Sequence, residues 1–67
     1  MDEVIKVAKI CGLNTVGEAF ACIMLHWDAY TLEELREIEN DVTRFAEEFG
    51  EGWSDVTIDQ AAEWLLK

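Results

Sequence analysis

Hydrophobic positions recur along this chain at intervals of three and four residues, and nowhere does the two-residue alternation of a strand appear. Signals for helix starts and stops break the pattern into four segments. The first helix is predicted over about 2–11, with Asp2 and Glu3 at its positive end, Lys6 and Lys9 later, and Gly12 free to take a left-handed C-terminal cap. Thr15 and Glu18 have capping-box spacing and open a second helix, predicted to run over 16–29. Thr31 with Glu34 opens a third over 32–49, ended by Gly50, and Thr57 with Gln60 opens a fourth over 58–66. The longest non-helical connection is expected at EGWSDV, Glu51 to Val56. The fold class is therefore all-α, a small bundle of about four short helices forming one domain over residues 1–67.

Two faces carry most of the apolar information. In the third helix Leu35, Ile38, Val42, Phe45 and Phe49 are spaced by three, four, three and four, a narrow stripe that suits a bundle seam or, at greater length, a coiled coil. Little more than two heptads are present, so the stripe is assigned to an intramolecular bundle. In the second helix Val16, Ala19, Phe20, Ile23, Met24, Trp27 and Tyr30 project to one broad face, and Gly17, Ala21 and Leu25 form a line on the opposite side. That second line permits close backbone approach, either by the same chain or by a second copy.

Charge changes the picture more than length does. The 67 residues hold 15 Asp and Glu against 5 Lys and Arg, a formal net charge of -10. From Asp28 onward 12 acidic residues face 3 basic ones, so nearly all of the excess lies in the second part. This opposes direct nucleic-acid binding. The turn at VAKICGLNT is similar in outline to a helix-turn-helix, but the helix after it is the most apolar in the chain and carries Glu18 where a DNA-reading helix needs neutral or basic groups. The longest apolar run, Ala19 to Leu25, is far short of the ~20 residues that cross a bilayer. With no basic, apolar leader at MDEVIKVAKICG, a cytoplasmic setting is expected.

Catalytic and metal chemistry find little support. Cys22 and His26 lie four apart on one edge of the second helix, with Cys11 as a conceivable third ligand, but there is no CxxC and no second His. Both thiols are expected to be reduced and buried. The carboxylate pairs Glu33 and Glu34, and Glu47 and Glu48, together with Glu37, Glu39 and Asp41, fall on polar helix faces, where general acid-base work lacks the burial it needs. EGWSD is too short for an EF-hand, and no Gly-rich loop precedes a helix. No enzyme activity, metal or cofactor is expected.

The functional expectation is an acidic regulator or inhibitor that engages a protein with a basic surface, its carboxylates standing in for the phosphates of a nucleic acid. The candidate contact residues are Glu33, Glu34, Glu37, Asp41, Glu48 and Glu51, with Trp53, Asp55, Asp59 and Glu63. Trp53 serves either as an exposed anchor or as a lid folded onto the core. Trp64 is expected to fasten the last helix to the core. The alternative is a self-associating homodimer held through the stripe of the third helix or through Gly17, Ala21 and Leu25.

Overall fold

A computed structural model describes residues 2–66 and has four α-helices: α1 (Asp2–Cys11), α2 (Val16–Leu25), α3 (Leu32–Phe49) and α4 (Ile58–Leu65). Positions 1 and 67 of the expected domain lie outside the described residues. The fold is all-α, with a Cα radius of gyration of 10.9 Å. A compact chain of this length has about 11 Å.

Local chemistry accounts for the helix ends. At the end of α1, Gly12 takes a φ of 70°, and the Leu13 N–H donates to the Ala8 carbonyl at 2.8 Å, the closing bond of a Schellman cap. Thr31 and Thr57 each complete a capping box. Thr31 Oγ1 accepts from the Glu34 N–H at 3.1 Å while Glu34 Oε1 accepts from the Thr31 N–H at 2.9 Å, and Thr57 and Gln60 repeat the exchange at α4. At α2 only half of the motif forms, Thr15 Oγ1 accepting from the Glu18 N–H at 3.2 Å.

Two predicted boundaries are corrected. α2 stops at Leu25 rather than residue 29, because His26 leaves helical geometry (φ -117°, ψ 33°) and a 3-10 turn follows over Trp27–Ala29. Tyr30, extended at φ -119° and ψ 151°, then packs against the core. Met24 and Trp27, assigned to the inward face, are 38% and 61% exposed. The EGWSDV connection is not irregular: Gly50–Asp55 forms a 3-10 helix. α4 ends one residue early, at Leu65.

The core takes residues from every helix: Val4, Ile5 and Ala8 from α1, Val16, Ala19 and Ile23 from α2, Ile38, Val42 and Phe45 from α3, and Ile58 and Ala61 from α4. The middle of the α3 stripe is thus covered by the chain's own helices, as expected of a bundle seam. Phe45, fully buried, meets the Trp64 ring edge-on at 5.1 Å and the Phe49 ring at 4.4 Å. This aromatic cluster fastens the end of α4 to α3.

A tie between two loops completes the frame. Thr15 and Thr57 pair as an isolated antiparallel bridge, flanked by the Val16 N–H donating to the Val56 carbonyl at 3.0 Å and the Ile58 N–H to the Asn14 carbonyl at 2.9 Å. The starts of α2 and α4 are held side by side by these bonds. Across the same region the 3-10 helix approaches Gly17 so closely that a Cβ there would stand 2.7 Å from Ser54 Cβ.

Candidate functional site

A strongly charged concavity lies where the first turn of α1, the first half of α3 and the end of α4 converge. It encloses about 400 Å3 and is lined by Asp2 and Glu3 from α1, Glu34, Glu37, Ile38, Asp41 and Arg44 from α3, and Trp64 and Leu65 from α4. Five carboxylates thus face one guanidinium across a partly apolar floor. Asp2, Glu3 and Glu34 stand in the first turns of their helices, where the macrodipole favours negative charge, and Glu34 is also held by its capping bond. Glu37 and Asp41 have no such local reason. They are four apart on α3, a like-charge spacing that costs a few tenths of a kcal/mol. The Arg44 guanidinium is 3.9 Å from Asp41, a long and largely exposed pair of little energetic weight.

Of the sequence-derived contact residues, the structure brings Glu34, Glu37 and Asp41 into this groove. Glu33, Glu48, Glu51, Asp55, Asp59 and Glu63 are exposed and lie outside it. Trp53 is half-buried, its ring folded edge-on against Phe20 at 6.1 Å, which is the lid position. In the sequence Asp2 and Glu3 stand out only as charges at a helix start. Only the packing of α1 against α4 carries them to the face of α3, and no local pattern encodes that.

The line Gly17, Ala21, Leu25 is divided by the fold. Gly17 faces Ser54 of the same chain, so its close approach is made within the chain. Ala21 and Leu25 remain exposed, Leu25 at 79%.

The thiols are not buried as expected: Cys11, the last residue of α1, is exposed, and Cys22 is only half-buried. Cys22 and His26 do not form a thiol-imidazole pair. His26 Nδ1 lies 3.0 Å from the Cys22 backbone carbonyl oxygen, a contact that places its proton on Nδ1 and turns the ring to the end of α2. Desolvation first, then the neighbouring Cys11 thiol, pushes the Cys22 thiol above its usual range, which lowers its thiolate fraction at neutral pH. Among the described residues no three His, Cys, Asp or Glu side chains are grouped to hold a metal ion. Among them, too, no helix is long and apolar enough to cross a membrane.

The chain matches no family model, and neither the curated proteins nor the solved structures contain a significant match to it.

Proposed function

We propose that this protein is a non-enzymatic binding protein that receives a basic segment of another protein in the groove between α1, α3 and α4. The observation that carries the reading is the convergence of Asp2, Glu3, Glu34, Glu37 and Asp41, from two separate helices, around Trp64 and Leu65. Carboxylates that only confer solubility need no common focus and no aromatic floor. A Lys- or Arg-rich segment with an intervening apolar residue satisfies both features, its cations meeting the rim and its apolar side chain meeting Trp64. Binding of this kind suits a regulator that occupies the basic surface of its target. The proposed setting is the cytoplasm, in keeping with two cysteines that are free thiols.

The test is affinity capture from the source cell at low and high salt, with the wild-type chain and with an Asp2→Asn, Glu3→Gln, Glu37→Gln variant. Glu34 is left intact because it caps α3. The expected result is one basic protein, released at high salt and reduced at least tenfold by the variant. A partner that stays on the variant and survives high salt overturns the proposal. Recovery of the chain's own copies alone, resistant to salt, favours self-association instead.

A further inference from the structure

A second surface lies on the opposite flank of α3 from the acidic groove. α2 stops at Leu25 and the chain turns straight back into α3, so the end of one helix and the start of the next stand together with large apolar side chains uncovered. Trp27 and Leu32 are 61% and 74% exposed. Beside them a groove of about 380 Å3 is lined by Phe20, Met24, Trp27, Leu35 and Glu39. Four large apolar side chains and one carboxylate form its walls, with no cation among them. A groove walled by large apolar side chains suits docking, and Trp and Met fit that role, the first as a rigid contact and the second as an adaptable one.

Charge decides between the possible occupants. A second copy brings another net charge of -10 and another Glu39 to the same place. An acidic segment sets like charge beside the exposed Glu39, and a neutral one gains nothing from it. A segment bearing Lys or Arg supplies that charge and is drawn in by the field of the whole molecule. The groove runs between helices, and among the described residues the backbone offers no strand edge to extend, so a helical ligand suits it better than an added strand. We propose that this groove binds an amphipathic helix of another protein, with a large apolar anchor seated among Phe20, Met24, Trp27 and Leu35 and a Lys or Arg about one turn away paired with Glu39. The inference is independent of the acidic groove, whose lining residues on α3 project to the other side of the buried stripe.

The experiment is selection of helical peptides from a randomised display library on the full chain, followed by titration of the enriched peptides into 15N-labelled protein. Trp27→Ala and Glu39→Lys serve as variants, because both side chains are exposed and neither belongs to the core. The expected peptides combine large apolar residues at i, i+3 or i+4 with Lys or Arg, and they move the resonances of Trp27, Leu35 and Glu39. They lose at least tenfold in affinity on Trp27→Ala and several-fold on Glu39→Lys. A peptide with Glu in place of its Lys recovers affinity for the Glu39→Lys chain. Acidic peptides, peptides indifferent to both variants, or no enrichment at all overturn the proposal. Peptides that perturb only Trp64 and Glu37 also overturn it, since they belong to the acidic groove. A dimer in sedimentation that Trp27→Ala dissociates overturns it in favour of a second copy.

Discussion

Gly17 carries a packing demand that no other glycine in the chain carries. A Cβ added there meets Ser54 Cβ at 2.7 Å and the Ser54 carbonyl oxygen at 2.8 Å, and neither a backbone oxygen nor a Cβ can swing away. Gly17→Ala therefore forces the 3-10 helix off α2 and is expected to cost about 1–3 kcal/mol, the usual range for overpacking. Gly52, with open space around it, is the control: Gly52→Ala stays within about 1 kcal/mol of wild type. Urea denaturation of the two variants separates them, and equal stabilities would mean that the approach of Ser54 to Gly17 does not constrain the fold. Tyr30 makes a prediction about pH at the same scale. Desolvation, followed by the charges of Glu3 and Glu34 among its neighbours, raises its phenol above the usual value of about 10. The neutral phenol is thus favoured in the folded state. Tyr30's contribution is fully present below the unfolded pKa and is lost as pH rises through the folded one. Because it is the only tyrosine, its titration followed at 295 nm is unambiguous. The native midpoint should lie above that of the urea-unfolded chain, and coincident midpoints would refute the assignment.

The capping boxes give the element scale its sharpest test. Thr31→Ala removes the acceptor for the Glu34 N–H and is expected to cost about 1 kcal/mol. Glu34→Ala removes the return bond, and because both bonds fix one turn the double variant should cost less than the sum of the singles. Strict additivity would show that the box does not act as a unit. These caps are also why three of the four helix starts were legible in the sequence, since Thr at one position and Glu or Gln three later need only local geometry. The helix stop at Leu25 was not legible, for HWDAY contains no Gly or Pro, and what ends α2 is the return of Tyr30 to the core, a tertiary demand. The 3-10 helix over Gly50–Asp55 escaped for a similar reason. Its place depends on Trp53 meeting Phe20 and Ser54 meeting Gly17, partners more than 30 residues away in the chain. Half of the acidic groove was readable as the polar flank of α3, in Glu34, Glu37 and Asp41. The rest, Asp2, Glu3 and Trp64, depends on how α1 and α4 meet, and helical periodicity does not specify that.

At the scale of the whole molecule, the net charge of -10 is confined to a body with principal extents of 28 × 23 × 21 Å. Near 0.01 M salt the screening length is about 30 Å, so every carboxylate acts on every other; at 1 M it is about 3 Å, and only neighbours do. Folding brings these charges together, so screening should stabilise the native state. The opposing effect is the screening of favourable contacts, such as Asp2 and Glu3 with the start of α1, each worth about 0.3–1 kcal/mol at low salt. Those contacts are few and local, while the excess of 15 acidic over 5 basic residues is global, and the repulsion is expected to prevail. The Tm should therefore rise between 20 mM and 500 mM NaCl, and a gain of only 1 kcal/mol would move it by about 4–8 °C in a domain of this size. A Tm that falls with salt would mean that the helix-end contacts outweigh the repulsion. The sign matters for function as well as stability. Partner capture through the acidic groove is expected to weaken over the same range of salt in which the protein itself becomes more stable, and opposite slopes in the two measurements attribute the lost binding to screened charge rather than to unfolding.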